Sequence, residues 1–215
     1  MNLDQQLVNY NLDTLKIEPD LTCEDLGLIH SKIIFYPNFF DANISDILFK
    51  KLVQEIEWQQ DYINFYGRIN PIPRLTAWYG DEGKSYSYSG IKMNPHVWIK
   101  TLLLIKNLIE PICQAKFNSV LLNLYRNGKD GNAWHSDNEK SLGKNPIIGS
   151  VSFGETRKFC LKLRDKNNPI KQDILLTHGS LLLMAGETQQ YWLHQIPKTK
   201  KVVKPRINLT FRYII

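Results

Sequence analysis

The spacing of apolar residues changes along the chain, from a helical period in the first half to an alternating one in the second. Apolar residues recur every three or four positions over residues 44–56. This spacing predicts an amphipathic helix that Asp41 caps and that extends to about Trp58. Residues 94–95, Asn and Pro, resemble the N-cap and first position of a second helix, whose apolar face reaches Ile109.

From residue 119 onward apolar and polar residues alternate, which is typical of strands. Turn residues separate the predicted strands SVLLNLY, IIGSVSFG, RKFCLKLR, DILLTH, GSLLLMAG and RINLTFRYI. Residues 33–40 predict one earlier strand, and residues 61–93, rich in Tyr, Gly, Ser and Pro, predict hairpins and loops. Helices followed by a run of strands indicate an α+β domain whose β half is a sandwich or barrel, with the helices buttressing one sheet.

The composition narrows the class of protein. The chain has 215 residues, enough for one domain with a sizeable core, and no apolar run long enough for a membrane helix. The first residues lack the basic and apolar regions of a signal peptide, and three widely spaced cysteines indicate reduced thiols. We therefore expect a monomer without a membrane partner that is not secreted, cytoplasmic in a bacterium or nuclear in a eukaryote.

Charge is distributed unevenly along the chain. Residues 1–30 contain six acidic residues and one lysine, whereas residues 31–215 contain 26 Lys and Arg against 15 Asp and Glu. We expect residues 1–30 to form a partly ordered acidic leader and residues 31–215 to form a single domain. A basic body indicates a polyanionic partner, with nucleic acid the first candidate.

Two histidines and one aspartate have the pattern of a metal site. His135 and Asp137 are two residues apart, so on an extended segment their side chains point to the same face. With His194 they would complete the triad of two histidines and one carboxylate that binds non-haem Fe(II) and leaves positions open for substrate and O₂. His178, which precedes a glycine turn, is a weaker rival ligand. The alternatives are a structural metal and no metal.

The last predicted strand has one polar and one apolar face. The polar face consists of Arg206, Asn208, Thr210 and Arg212. Two arginines on an inner face indicate an anionic ligand, because a guanidinium binds a carboxylate through two parallel hydrogen bonds. A dicarboxylic cosubstrate would fit them. Asn123 and Tyr125, on one face of an earlier strand, add polar groups for the same ligand.

Several segments resemble the AlkB nucleic-acid dealkylating dioxygenases, particularly the eukaryotic-type DNA-repair branch. The segments are, in order, PRLTAWYGDEGKSYSYSG, NLYRNGKDGNAWHSDNE, IIGSVSFGETRKF, HGSLLLMAG, WLHQIPK and PRINLTFR. The resemblance extends over residues 60–215 and leaves residues 1–30 unmatched. It implies a double-stranded β-helix, or jelly-roll, core over residues 119–215 with a nucleotide-recognition lid over residues 61–93.

The resemblance also implies residue roles. The Fe(II) ligands would be His135, Asp137 and His194, with O₂ as the oxidant. The 2-oxoglutarate site would consist of Asn123, Tyr125, Arg206, Asn208 and Arg212, with Thr210 lining the pocket. We expect Arg206 to bind the far carboxylate and Arg212 to lie nearer the iron. The implied reaction is oxidative demethylation of bases such as 1-methyladenine and 3-methylcytosine in DNA, which releases formaldehyde, succinate and CO₂.

Substrate contacts follow from the charge of the lesion. A cationic methylated base favours a carboxylate and aromatic faces, for which Glu139, Tyr86 and Tyr88 are the candidates. A base in a duplex must be flipped out, and the resemblance implies that Tyr66, or else Phe65, stands where relatives that act on duplexes place a wedge. The candidate phosphate contacts are Arg74, Lys198, Lys200, Lys201 and Lys204.

Three other functions remain open from the sequence. The same chemistry could act on RNA bases, or on a protein or small molecule, although the aromatic lid and basic body argue against the second. A third possibility is a nucleic-acid-binding module without turnover. The complete set of His135, Asp137, His194 and Arg206 argues against such a module.

Overall fold

The computed structural model describes residues 11–65, 67–83, 86–88, 91–93 and 95–215. The helices are α1 (Ala42–Glu55), α2 (Lys100–Cys113) and α3 (Thr188–Tyr191), with 3₁₀ turns at Leu12–Thr14 and Lys140–Leu142. The strands are β1 (Glu24–Asp25), β2 (Lys32–Tyr36), β3 (Tyr62–Phe65), β4 (Arg68–Pro71), β5 (Leu75–Gly80), β6 (Tyr86–Tyr88), β7 (Ile91–Met93), β8 (Ser119–Tyr125), β9 (Asn132–His135), β10 (Ile148–Gly154), β11 (Arg157–Leu163), β12 (Lys171–Leu176), β13 (Ser180–Ala185), β14 (Trp192–Ile196) and β15 (Arg206–Arg212).

Two antiparallel sheets form the body of the molecule. The major sheet has the order β1-β2-β13-β10-β15-β8-β5, and the minor sheet has the order β12-β11-β14-β9. The six strands predicted after residue 119 are all present. Those of the major sheet are largely buried on both faces, whereas β11 and β12 of the minor sheet have buried residues on one face. This is the jelly-roll core that the sequence resemblance implied.

Apolar residues cover both faces of the major sheet. Ile207, Leu209 and Phe211 of β15 are fully buried in a core that also contains Leu48 of α1 and Leu102 of α2. A second core lies between the sheets and includes Phe35, Phe159, Leu161, Leu182 and Trp192. The alternate residues of β15 therefore face the space between the sheets, as the sequence predicted.

The first helix begins as predicted, and the second begins later. Asp41 caps α1 by accepting a hydrogen bond from the Ile44 backbone N–H at 2.8 Å, but the helix ends at Glu55 because Ile56 is extended. The helix predicted to open at residues 94–95 starts at Lys100; Asn94 itself lies outside the described residues. His96 instead exchanges backbone hydrogen bonds with Trp78 and Gly80 of β5, which keeps that segment extended. No helix of the described residues is both long and apolar enough to cross a membrane.

The predicted lid region contains one strand of the major sheet. Strand β3 pairs with β4 and β6 pairs with β7, both antiparallel, which agrees with the predicted hairpins. Between them, β5 pairs with β8 along its whole length, and Trp78 and Tyr79 are buried. Part of the segment expected to be a lid is therefore core, since its aromatic residues pack inside the molecule.

Candidate active site

The minor sheet brings three predicted metal ligands together. His135 is the last residue of β9, Asp137 follows two residues later, and His194 lies on the neighbouring β14, directly opposite His135 in the ladder. One ligand atom from each residue lies within 4.8 Å of the others, and the centroids of the two imidazole rings are 4.2 Å apart. Two histidines and one carboxylate that converge in this way can hold a divalent metal on one face.

Hydrogen bonds and burial put the three side chains in the protonation states of metal ligands. His135 Nδ1 lies 2.7 Å from the Ala133 carbonyl oxygen and donates to it, which leaves Nε2 with its lone pair; here Nε2 accepts from Asn132 Nδ2. Burial lowers the pKa of His135, and burial beside His135 lowers the pKa of His194 to about 3. Both imidazoles are neutral at neutral pH.

Asp137 keeps its charge although it is buried. Burial acts to raise the pKa of Asp137, but Arg212 and the two histidines outweigh this effect and lower the pKa to about 2. Arg212 Nη2 donates to Asp137 Oδ1 at 2.9 Å in a buried ion pair. Arg212 therefore lies beside a predicted metal ligand, and its role toward the cosubstrate stays a prediction.

All six residues predicted to bind the cosubstrate line the same pocket as the three metal ligands. These residues are Asn123, Tyr125, Arg206, Asn208, Thr210 and Arg212. The central position of β15 explains this convergence, because its inward face lies between those of β10 and β8. Asn208 is paired with Ser152 on one side and Asn123 on the other. Their role as ligands stays a prediction.

Arg206 is a buried cation whose N–H groups are only partly hydrogen-bonded within the described part of the chain. Its side chain is 1% exposed, and Nη2 donates to Ser152 Oγ at 2.9 Å. Nε and Nη1 are buried and have no hydrogen-bond partner among the described residues. Burial lowers the pKa of Arg206 to about 10, so the guanidinium is still cationic at neutral pH. Because buried N–H groups of a cation are costly when unpaired, this pocket fits a carboxylate such as that of 2-oxoglutarate.

Two serines of β10 hold polar side chains of this pocket and were not predicted. Ser152 accepts from Arg206, and Ser150 Oγ accepts from Asn208 Nδ2 at 2.9 Å. Thr210 donates to Asn208 Oδ1, so the Asn208 amide is held on both sides. The signal was present in IIGSVSFG, where both serines fall on one face of an apolar strand.

Arg74, predicted to contact phosphate, lies elsewhere. It is 3% exposed, and its Nε donates to Asn123 Oδ1 at 2.7 Å while Nη1 donates to the Gly131 carbonyl at 3.3 Å. A guanidinium buried in this way does not face a nucleic-acid backbone, and the prediction of a phosphate contact is corrected. Arg74 instead fixes the orientation of the Asn123 amide, with Oδ1 engaged and Nδ2 left to face other groups.

Of the remaining substrate candidates, Glu139 and the four lysines do not line this pocket, and the side chains of the others are not described. Glu139 is half-buried just after the metal-ligand segment, and its Oε2 is buried without a hydrogen-bond partner in the described part of the chain. Tyr66 lies outside the described residues, and the side chains of Phe65, Tyr86 and Tyr88 are likewise not described. The loop after β14 carries the predicted lysines Lys198, Lys200, Lys201 and Lys204.

The rival ligand His178 forms its hydrogen bonds with residues outside the triad. Its Nδ1 accepts from the Gly154 N–H at 2.8 Å, and its Nε2 lies 3.2 Å from Asp46 on α1. His178 therefore joins a turn to a helix and contributes no ligand atom to the metal cluster.

Together, the jelly-roll fold and the His-Asp-His cluster define a mononuclear, metal-dependent oxygenase. The sequence matches the 2OG-Fe(II) oxygenase superfamily over residues 32–212. The chain belongs to this superfamily, whose description names Fe(II) and 2-oxoglutarate, and the AlkB resemblance of its motifs is confirmed by the relatives described next.

Curated relatives and one solved structure agree with this placement. The chain is 42% identical over 193 residues to "Alpha-ketoglutarate-dependent dioxygenase alkB homolog 3" of Homo sapiens, a match that covers 86% of this chain and 66% of the relative. It is 35% identical over 189 residues to "DNA oxidative demethylase ALKBH2" of Homo sapiens, covering 84% of this chain and 72% of the relative. The structure titled "The structure of OsALKBH1" matches with a TM-score of 0.60 at 14% identity, covering 89% of this chain and 100% of that one, which supports the fold.

Proposed function

We propose that this chain is an Fe(II)- and 2-oxoglutarate-dependent dioxygenase that demethylates N-alkylated bases in DNA. One observation carries the proposal: the buried guanidinium of Arg206, with two unpaired N–H groups among the described residues, lines the same pocket as His135, Asp137 and His194. A metal site and a carboxylate site in one pocket are what this chemistry requires. The name "DNA oxidative demethylase" of one relative supports DNA as the substrate.

Different residues of the pocket would bind the metal and the 2-oxoglutarate. The triad would hold Fe(II), and Arg206 would bind the far carboxylate of 2-oxoglutarate with Asn123 and Tyr125 beside it. When bound, these two groups supply the O₂-dependent oxidation that hydroxylates an N-methyl group, so that formaldehyde, succinate and CO₂ are released. Phe159 stacks on the His194 ring with centroids 5.1 Å apart. With Leu176 and Met184, apolar residues that line the pocket, it would limit the access of water to a bound metal.

The substrate would enter beside the metal-ligand segment. Glu139 follows Asp137 by two residues and keeps an unpaired carboxylate oxygen among the described groups, which suits a cationic methylated base. The exposed lysines of residues 198–204 follow directly after β14, which lines the pocket, and we expect them to contact the phosphates that flank such a base. We propose a monomer as the active form, since all the named groups come from one chain.

The test is the mass of a single-stranded DNA oligonucleotide carrying one 3-methylcytosine, after incubation with the chain, Fe(II), ascorbate and 2-oxoglutarate. We expect loss of the methyl group that requires 2-oxoglutarate. Asp137→Ala should abolish it by removing a metal ligand, whereas Asp173→Ala, an exposed aspartate of β12, should not.

Other outcomes identify the competing functions. Succinate formation without demethylation would refute DNA bases as the substrate and direct the search to RNA or protein. Faster demethylation of the matching RNA oligonucleotide would favour RNA. If neither succinate nor demethylated DNA forms, the remaining function is a nucleic-acid-binding module without turnover.

A further inference from the structure

The metal ligand Asp137 is held at its backbone as well as at its carboxylate. Strand β9 ends at His135, so residues 136–139 have no ladder of hydrogen bonds to fix their course. The Asp137 N–H donates to the side-chain oxygen Oε1 of Gln189 at 2.9 Å. Both residues are 1% exposed, so water does not compete for this hydrogen bond.

Gln189 is itself fixed by the major sheet. Its Nε2 lies 3.6 Å from the sulfur of Met184, a residue of β13 that lines the pocket. The preceding residue, Thr188, donates to the Ala185 carbonyl at 2.5 Å and accepts from the Lys32 N–H at 3.1 Å. These contacts tie α3 to both β13 and β2. The Gln189 amide therefore has a contact at its oxygen and another at its nitrogen, which set its orientation.

The same short segment supplies another ligand of the metal. Helix α3 runs directly into β14, which carries His194 five residues after Gln189. A single stretch of chain thus contributes one ligand and orients another. The relative positions of His194 and Asp137 depend on it.

We propose that Gln189 is a positioning residue of the metal site. Its Oε1 fixes the main chain of Asp137 so that the carboxylate faces His135 and His194, and this preorganisation raises the affinity for a divalent metal. Arg212 complements it by holding Oδ1 of the same carboxylate, so backbone and side chain are each restrained once. The inference rests on the metal site of the proposed function but not on its substrate.

Mn(II) binding to the chain without 2-oxoglutarate or DNA tests the proposal. Gln189→Met keeps the length of the side chain but removes the acceptor, and should raise the Kd for Mn(II) about 10- to 100-fold. Gln189→Glu retains an oxygen acceptor and should bind close to the parent chain. Gln190→Met is the matched control, because Gln190 is the exposed neighbour on the same helix and contacts Asn145.

Free Mn(II), measured by its electron paramagnetic resonance signal, gives the Kd, and thermal unfolding of the metal-free variants gives their stability. A merely structural role would lower the unfolding temperature of Gln189→Met and leave the Mn(II) Kd of the folded protein unchanged, which would overturn the proposal. An absence of Mn(II) binding by the parent chain would overturn it as well. Tight binding with the expected weakening in Gln189→Met supports it even if no DNA is demethylated, a result that would contradict only the proposed function.

Discussion

At the scale of single residues, a buried cation sets the orientation of the amide next to it. An asparagine amide can present either its oxygen or its nitrogen to a ligand, and the two orientations recognise opposite groups. Arg74 Nε donates to Asn123 Oδ1 at 2.7 Å, so the Asn123 oxygen is engaged and its Nδ2 is the group left to donate. A carboxylate or keto oxygen of the cosubstrate needs a donor. Arg74 thus orients Asn123 so that its Nδ2 can donate to 2-oxoglutarate, the role predicted from the sequence.

Arg74→Lys should therefore weaken 2-oxoglutarate binding. Lysine keeps the charge but cannot reproduce the planar Nε–H donor, so Asn123 loses its fixed orientation. We expect the KM for 2-oxoglutarate to rise about tenfold, the equivalent of one hydrogen bond. Oligonucleotide affinity should not change. Succinate formation against 2-oxoglutarate concentration and fluorescence anisotropy of a labelled oligonucleotide measure the two effects.

A second arginine that holds a neighbouring side chain serves as the control for this variant. Arg126 donates through Nε and Nη2 to the buried carboxylate of Asp130 at 2.8 and 3.0 Å, and it does not line the pocket. Arg126→Lys should lower the unfolding temperature without a comparable rise in KM. If Arg74→Lys instead weakened oligonucleotide binding at an unchanged KM, the phosphate contact first predicted for Arg74 would be right after all.

Residues on one strand could be predicted to act together, and residues on different strands could not. The alternation of β15 is enough to place Arg206, Asn208 and Arg212 on one face. Arg74 and Gln189 meet their partners only because β5 pairs with β8 and α3 packs beside the metal-ligand segment. Such pairings depend on register across the sheets, which residue spacing does not specify.

At the scale of elements, the end of α2 is stabilised by a carboxylate in an unusual position. Glu110 lies in the last turn of the helix, where the helix dipole disfavours a negative charge. It is nevertheless 5% exposed, and it accepts from Lys116 Nζ at 2.8 Å and from the Phe117 N–H at 2.9 Å. Lys106 Nζ lies 3.1 Å away, one turn back. Glu110 thus connects α2 to the start of β8.

The stabilising effect of Glu110 should depend on pH. Burial acts to raise the pKa of Glu110, but Lys116, the Phe117 N–H and Lys106 outweigh it and lower the pKa. The unfolded chain therefore takes up the proton first, so the stabilisation is present above the ordinary value of 4.5 and is lost as the pH falls through the folded pKa. Glu110→Gln should cost about 1–2 kcal/mol at pH 7 and less below pH 4.5.

Urea unfolding at pH 7 and at pH 4 measures this difference. Glu24→Gln, an exposed glutamate of β1, is the control and should leave the free energy of unfolding unchanged at both values. An equal destabilisation by Glu110→Gln at both pH values would show that Glu110 acts through its shape and not its charge.

The elements differ in how well the sequence predicts them. Long strands such as β8 and β15 follow from alternation alone, whereas β9 and β14 are short and mix polar with apolar residues. These two strands carry His135 and His194, so the metal site lies on the elements with the weakest signal. The predicted start of α2 was wrong because His96 pairs with β5, a tertiary contact that outweighs a local helix signal.

At the scale of the whole molecule, two loops that contact each other near the end of β14 carry exposed lysines. The loop after β14 carries exposed Lys200 and Lys201, and its Thr199 N–H donates to the Gly128 carbonyl at 2.8 Å. Gly128 is packed closely there, since an added Cβ would lie 2.4 Å from the Thr199 carbonyl oxygen. This contact brings exposed Lys129 beside the lysine loop. Two loops thus present cations together next to the end of β14.

Neutralising this loop should change how nucleic-acid binding responds to salt. Removing one lysine–phosphate ion pair reduces the slope of log Kd against log salt by about 0.7 for a single strand, so Lys200→Gln with Lys201→Gln should reduce it by about 1.4. Lys16→Gln is the control, because Lys16 is an exposed lysine outside these two loops. Its neighbours Leu15 and Ile17 pack against the core that α1 and α2 share with the major sheet. Demethylation at saturating oligonucleotide should be unchanged in both variants, since neither change reaches the pocket. A slope equal to that of the parent chain would mean that the nucleic acid passes over another face.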